Sequence, residues 1–224
     1  MKAWRERCTN PAAVEYVLGV DEGQAYPIYY VPWMDPMKII FTAAGNSCVS
    51  AWNHTTKVAS GNFLMAVSDD QFPCQNWDDE IRKIDLLLAE DAPFTAEYAL
   101  APDQGPTKGL ISHPFITRAY MGRLAREHGY EGFWYPGYSS MRCDDDFTIC
   151  ARMDGVVIEA PHIKIEHHHP EYGTRDWDDT YRWQHREEAF RIGNEVLARR
   201  HRVPGDGPWR RRLPGRRIWR LRRL

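Results

Sequence analysis

Over most of the chain, apolar residues follow two patterns, short continuous runs and longer stretches with helical spacing. Short runs rich in β-branched and aromatic residues predict strands, and apolar residues that recur every three or four positions predict amphipathic helices. The apolar runs cover residues 14–20, 27–31, 37–42, 62–67, 133–135 and 156–160. The helical patterns cover residues 47–60, 77–89, 116–128, 146–153 and 178–200. Because runs and helices alternate, we expect an α/β fold, a mostly parallel sheet flanked by helices.

Two segments break this alternation. Residues 93–109 are rich in proline and glycine, which predicts a loop. Beyond Val203 the chain contains proline, glycine and many arginines, a composition that argues against packing. We therefore expect one domain over residues 1–202 and a basic, flexible tail over 203–224.

Charge separates these two parts more clearly than composition does. The 224 residues carry a net charge of −2, with 43% hydrophobic and 27% charged residues, which excludes a chain that is disordered throughout. Residues 199–224 contain eleven arginines and one acid, Asp206, for a net charge of +10. The rest of the chain therefore carries −12. An acidic body followed by a cationic tail is the expected arrangement.

The cysteines and the lengths of the apolar runs indicate the cellular compartment in which we expect the protein. Five scattered cysteines form no C-x-x-C pair, which argues against a disulfide framework or a zinc knuckle. No apolar run reaches the roughly 18 residues that a membrane span needs, and the charged start lacks the apolar region of a secretion signal. We expect a soluble protein of the reducing cytoplasm, of a host cell if the protein is viral.

Acidic residues directly follow two of the predicted strands. Asp21 follows the first strand, and Asp69 and Asp70 follow the run 62–67. Ligands of open α/β sheets bind beyond the carboxyl ends of the strands, where such acids can hold a hard divalent cation. The alternative for each acid is a role as a turn residue or helix cap.

The segment 59–70 carries a family resemblance. Together with Ala51-Trp52-Asn53 before it and Phe72-Pro73 and Trp77 after it, the segment resembles the nucleotide-sugar half of GT-A glycosyltransferases, particularly those of family 2. The likeness covers residues 14–200 as a pattern and implies a GT-A-like, Rossmann-related fold. The family motif is usually Asp-x-Asp, and Val67 stands at the position of its first acid. Only 13 residues precede Val14, where the family usually has a further strand.

The resemblance implies roles for these residues. Asp21, Asn53 and Asp69 would contact the nucleotide of the sugar donor. Asp69, with Asp70 as helper, would bind the cofactor, Mn²⁺ or Mg²⁺. The implied activity is transfer of a sugar from a nucleoside diphosphate, for example UDP, to a hydroxyl.

Three consecutive acids, Asp144, Asp145 and Asp146, follow the aromatic segment 133–138. An inverting transferase needs a carboxylate that removes the proton of the acceptor hydroxyl. By register with the family pattern we expect Asp144 to be this base, with Asp145 and Asp146 as alternatives. Three acids can also mark a solvated helix start, which the helix dipole favours.

Three histidines, residues 167–169, form a second unusual cluster. In an extended segment His167 and His169 point to the same side and could bind one metal ion or the leaving diphosphate. Some GT-A enzymes use such a histidine as a third metal ligand, which the resemblance implies for His167 or His169. A plain surface run of histidines is the alternative.

The arginine-rich tail suggests a nucleic-acid partner. Trp209 and Trp219 lie among its arginines, and interleaved basic and aromatic residues suit a phosphate backbone. An anionic membrane surface or a disordered extension are alternatives. The leading hypothesis is a metal-dependent glycosyltransferase whose acceptor is unknown, with a modified base in DNA as one candidate. A nucleotidyltransferase, or a non-catalytic module that binds a nucleotide sugar or nucleic acid, remains open.

Overall fold

The structure, a computed structural model, describes residues 2–21, 37–42, 47–88, 93–106 and 109–201. The strands are β1 Tyr16–Asp21, β2 Met37–Thr42, β3 Phe63–Met65, β4 Gln71–Pro73, β5 Ala99–Asp103, β6 Phe115–Thr117 and β7 Val157–His167. The helices are α1 Lys2–Glu6, α2 Cys48–Val58, α3 Trp77–Leu88, α4 Arg118–Arg123, α5 Cys143–Asp154, α6 Asp179–Gln184 and α7 Glu187–His201. The predicted run 27–31 and the tail 203–224 lie outside these residues.

The strands form a curled five-stranded sheet in the order β3-β6-β5-β7-β4 and a separate parallel pair, β1 and β2. Within the larger sheet only β5 and β7 run parallel, and the three other pairings are antiparallel. The α/β class is confirmed, but the prediction of a mostly parallel sheet is wrong because the sheet is mixed. Several of its strands are three residues long and are joined by turns and loops, whereas parallel neighbours need long crossovers.

Two local predictions are also wrong. Residues 133–135 form bends instead of a strand, because their aromatic side chains pack into the core and Trp134 bonds to a helix side chain. The proline- and glycine-rich stretch 93–109 contains β5, which pairs on both sides with buried strands. Pairing partners from distant sequence thus outweigh the local composition of this stretch.

The helices agree better with the sequence pattern because their caps are local. Ser47 Oγ accepts the Ser50 amide at 3.1 Å at the start of α2, and Thr117 caps α4 in the same manner. The predicted helix 178–200 is divided into α6 and α7, and Asp178 caps α6 through the Tyr181 amide at 2.9 Å. None of the described helices is both long and apolar enough to cross a bilayer.

The hydrophobic core lies on both faces of the larger sheet, since adjacent residues of its central strands point in opposite directions. Ala99, Ile116 and Val157 join one cluster with side chains of α2, α4, α5 and α7. Their neighbours Leu100, Phe115 and Ile158 join the second cluster. In that cluster Trp4 of α1 packs edge-on against Trp77 of α3, with ring centroids 5.2 Å apart. Both faces are therefore covered, and the strand ends and connecting loops remain for ligands.

Candidate active site

The loop 66–70 joins β3 to β4 and carries the acids predicted from the sequence. Its start is fixed by the Ala66 amide, which donates to the Pro114 carbonyl at 2.9 Å. Trp52 of α2 donates its indole N–H to the Val67 carbonyl at 3.3 Å. Elements from distant parts of the chain therefore hold this loop in place.

Asp70 is buried at the end of the loop, next to the last residue of β7. The antiparallel pairing of β4 with β7 sets Gln71 opposite His167, and His167 Nε2 lies 3.2 Å from Asp70 Oδ2. The hydroxyls of Ser68 and Tyr181 also donate to the Asp70 carboxylate. Burial alone would raise the pKa of Asp70, but these donors hold it well below its usual range. Asp70 is therefore an anion at neutral pH.

A second imidazole lies behind this pair. The His113 ring is buried, and its Nδ1 accepts a hydrogen bond from the Gln71 side chain at 2.8 Å. Burial and the neighbouring His167 lower the pKa of His113 to about 3, so that it stays neutral. The ring centroids of His113 and His167 are 5.6 Å apart. His113 thus fixes the orientation of Gln71 and packs edge-on against His167.

Asp70 and His167 lie close enough to share one cation. The separation of 3.2 Å between Asp70 Oδ2 and His167 Nε2 suits either one shared proton or two ligands of the same ion. The other ring nitrogen of His167, Nδ1, is buried without a hydrogen-bond partner among the described residues. Asp69 beside them is 84% exposed, with Arg175 Nη1 3.6 Å from its carboxylate. A carboxylate and an imidazole suit Mn²⁺, but Asp69, Asp70 and His167 are not among the three-residue groups whose ligand atoms lie within 4.8 Å of one another in the described part of the chain.

The ring of His169 lies next to His167, with centroids 5.2 Å apart. Its contacts also include Tyr181 and His185, at centroid distances of 4.9 and 5.2 Å. The predicted metal residues Asp70, His167 and His169 are therefore brought into one neighbourhood, with Tyr181 in contact with two of them.

The three acids at 144–146 begin α5, and the structure gives them different surroundings. Asp145 is buried and pairs with Arg142 Nη1 at 3.1 Å. Asp146 is buried, and its Oδ1 accepts from Arg200 Nε at 2.7 Å and lies 2.5 Å from His201 Nε2. Asp144 is only partly buried. Of the three carboxylates, Asp144 is the one a substrate in solution can approach most readily.

A short segment connects the start of α5 with the Asp70 region. The Thr148 hydroxyl donates to the Asp144 carbonyl at 2.7 Å and accepts the Ile111 amide at 3.0 Å. Two residues after Ile111, His113 reaches Gln71 and His167. The segment 111–113 therefore links the backbone around the proposed base to the proposed metal ligands.

Asp21 and Asn53, two of the predicted nucleotide contacts, lie in different elements of the fold. Asp21 ends β1, and the residues that follow it lie outside the described part. Asn53 is buried in α2, and its amide donates to the Trp134 carbonyl at 2.7 Å and accepts the Trp134 amide at 3.0 Å. The nucleotide roles of Asp21, Asn53 and Asp69 stay predictions.

The sequence analysis missed the two hydroxyl groups that bind Asp70, those of Ser68 and Tyr181. Tyr181 lies 111 residues from Asp70, within the predicted helix 178–200. Neither had a sequence signal, because the contacts arise from strand pairing and from the position of α6.

Comparison of the chain with known protein families, with curated proteins and with solved structures finds no match.

Proposed function

We propose that this protein is a metal-assisted glycosyltransferase that moves a sugar from a nucleoside diphosphate to an acceptor hydroxyl. One observation carries the proposal. Asp70 and His167, which the sequence singled out separately and which are 97 residues apart, lie 3.2 Å from each other. Asp69, the next residue in the chain, is exposed, and its carboxylate lies 3.6 Å from Arg175 Nη1.

Asp69, Asp70 and His167 are the residues that would hold the cation. When bound, Mn²⁺ or Mg²⁺ would neutralise the negative charge that develops on a diphosphate leaving group. The protein's own part is to keep Asp70 ionised and fixed. The hydroxyls of Ser68 and Tyr181 do so by donating to its carboxylate.

Asp144 is proposed as the base that removes the proton of the acceptor hydroxyl. Its partial exposure supports this choice, because Asp145 and Asp146 are buried against Arg142 and Arg200. A carboxylate already paired with a guanidinium is a weaker base, since proton uptake would break the pair. An inverting reaction follows from a single displacement in which Asp144 takes the proton.

A nucleic-acid acceptor is an extension of the proposal. Its motive is the arginine-rich segment 199–224, most of which lies outside the described residues. A base within a duplex would have to be flipped out of the stack to reach the active site. The salt dependence of binding to single-stranded DNA tests this extension independently of catalysis.

The proposal is tested by incubating the protein with a panel of nucleoside-diphosphate sugars and Mn²⁺ and measuring the nucleoside diphosphate released. We expect release with at least one donor and a loss of roughly 100-fold or more in Asp144→Asn. Asp179→Asn is the matched control, because Asp179 also begins a helix but is fully exposed. Tight donor binding without diphosphate release would indicate a non-catalytic module. Release of pyrophosphate from a nucleoside triphosphate, supplied with a sugar phosphate in a parallel reaction, would indicate a nucleotidyltransferase. Either result contradicts the proposal.

A further inference from the structure

A second group of metal-ligating side chains lies beside the proposed active site. We call it the His169 cluster, and it consists of His169, Glu171 and His185. One ligand atom from each residue lies within 4.8 Å of the other two. His169 and Glu171 flank the start of a short 3₁₀ turn, Pro170–Tyr172, and His185 directly follows α6. The turn and the helix end thus bring together side chains that the sequence separates.

The hydrogen bond of the His185 ring leaves its Nε2 unprotonated, which is the form of a ring nitrogen that binds metals. Its Nδ1 lies 3.0 Å from the Tyr181 carbonyl, which can only accept, so this nitrogen carries the proton. In a neutral ring Nε2 then has a lone pair. A backbone carbonyl on the far nitrogen is the usual partner of a metal-binding histidine, because it fixes the tautomer and the ring orientation.

That lone pair faces a carboxylate. His185 Nε2 lies 3.7 Å from Glu171 Oε1, too far for a hydrogen bond. Two acceptors that face each other repel unless a proton or a cation lies between them. The separation suits two ligands of one metal ion, with His169 as the third.

Aromatic side chains hold both rings. Trp177 packs edge-on against His185, with centroids 5.3 Å apart, and Tyr181 packs edge-on against His169 at 4.9 Å. His169 Nδ1 accepts the Glu171 amide at 3.2 Å and so caps the turn. Because a neutral imidazole has one lone pair, ligation by His169 requires release of this cap. The contribution of His169 should therefore be smaller than that of His185.

We propose that His169, Glu171 and His185 bind a transition-metal cation of the zinc class, separate from the cation held by Asp69, Asp70 and His167. Two imidazoles and one carboxylate suit Zn²⁺, whereas Mg²⁺ prefers oxygen ligands and keeps its waters. The three side chains leave a coordination position open, as in zinc sites that also bind water or a substrate. Tyr181 joins the two sites, because its hydroxyl donates to Asp70 and its carbonyl accepts from His185.

The test is calorimetric titration of Zn²⁺ into the full chain, purified without a histidine tag and stripped with a chelator. We expect one strong site in the presence of excess Mg²⁺. Loss of a ligand in His185→Ala should weaken this site more than the roughly 10–100-fold typical of losing an outer-shell partner. Glu171→Gln should weaken it too, and His169→Ala should have the smallest effect of the three. Co²⁺ bound in place of Zn²⁺ should show a visible absorption band that His185→Ala removes.

Two variants make the test decisive. His162→Ala is the matched control, because His162 Nε2 also lies 3.7 Å from a carboxylate, that of Glu80, and this histidine lies outside the His169 cluster. Asp69→Asn removes a ligand of the proposed catalytic cation and should leave Zn²⁺ binding unchanged, which separates the two proposals. Wild-type affinity in both His185→Ala and Glu171→Gln, or an equal loss in His162→Ala, would overturn the zinc site. The zinc-free unfolding midpoint of each variant shows that it is folded.

Discussion

Asp70 and Asp146 are both buried, and each lies against a histidine, but the rest of their surroundings differ. Asp146 also accepts a hydrogen bond from Arg200, whose guanidinium lies over the ring of Tyr135 at 3.6 Å. The groups that donate to Asp70 are a hydroxyl, a phenol and an imidazole, none of which is a permanent cation. Asp146 is therefore neutralised by a guanidinium that contacts it, whereas the guanidinium of Arg175 lies against Asp69 and over the Tyr181 ring, beside Asp70.

The side chains around Asp146 also include possible metal ligands, but their chemistry does not favour a metal site. Cys150 Sγ and a ring nitrogen of His201 lie within 4.8 Å of the Asp146 carboxylate, a set that could hold a metal by distance alone. Burial and the nearby Asp146 raise the pKa of the Cys150 thiol to about 12, so it remains protonated. A protonated thiol is a poor ligand, and Arg200 repels a metal ion. This cluster fastens α7 to α5.

The largest effect should come from Arg200→Met. This change leaves the Asp146 carboxylate buried without its guanidinium, and breaking a buried ion pair costs about 3–5 kcal/mol of unfolding free energy. Urea denaturation measures the loss. Arg191→Met on the same helix is the control, because Arg191 pairs with Glu188 and Glu195 on the exposed surface and its loss should change nothing measurable. Equal unfolding midpoints for the two variants would refute the structural role of Asp146.

Asp70→Asn should damage activity more than stability. The neutral amide keeps one acceptor oxygen, so it can accept from either Ser68 or Tyr181 but not from both, and it binds a divalent cation weakly. We expect nucleoside diphosphate release to fall by about 100-fold, the size typical of losing one electrostatic group in a transition state. Release should be measured over a range of Mn²⁺ concentrations, with Asp179→Asn as the control. Unchanged Mn²⁺ dependence would place the cation elsewhere.

Tyr181→Phe should give a smaller change of the same kind. It removes one hydroxyl from Asp70 and leaves the backbone carbonyl that fixes His185. Partners outside the ligand set usually change metal affinity by about tenfold or more, so the Mn²⁺ concentration at half-maximal release should rise by about tenfold. Zn²⁺ affinity should not change. A fall in Zn²⁺ affinity with normal Mn²⁺ dependence would reverse the assignment of Tyr181.

The smallest effect should come from Asp78→Asn, which tests a third buried acid. Asp78 begins α3 and accepts the amides of Thr9 and Asn10 at 2.7 and 2.9 Å, as well as Arg82. Burial alone would raise the pKa of Asp78, but these donors hold it well below its usual range. An amide in its place should lower the free energy of unfolding by about 1 kcal/mol at pH 7.

The pH dependence of this difference has a defined sign. A carboxyl whose folded pKa is depressed stabilises the protein above its unfolded pKa of about 3.9. The difference between wild type and Asp78→Asn should be constant from pH 7 to about pH 5 and shrink as the pH falls below about 4. Urea denaturation at several pH values measures it. A difference that grows in acid would contradict the role of Asp78 as an anion.

The sequence predicts those elements whose signals are local. The run 37–42 matches β2, and the helical pattern 77–89 matches α3 to within one residue. Local patterns of apolar residues did not predict which strands pair with each other. The three residues of β4 carry no recognisable pattern of their own, and they form a strand because β7 offers partners 92 to 96 residues later in the chain.

In the candidate site, too, the sequence indicates which residues matter, and the tertiary fold decides their surroundings. The resemblance made Asp69 the main metal ligand and Asp70 its helper, but burial is set by the tertiary fold, and the structure buries Asp70 and leaves Asp69 in solvent. Register with the family pattern favoured Asp144 over Asp145 and Asp146. The structure separates these three acids by burial, since Arg142 and α7 cover Asp145 and Asp146.

The contact of Asp146 with Arg200 has a consequence for the order in which the protein folds. The amino terminus of a chain emerges first from the ribosome, and Arg200 follows Asp146 by 54 residues. Until α7 is made, α5 has no guanidinium with which to bury its carboxylate, and desolvation opposes its docking. We therefore expect α5 to dock stably only after α7 has been made.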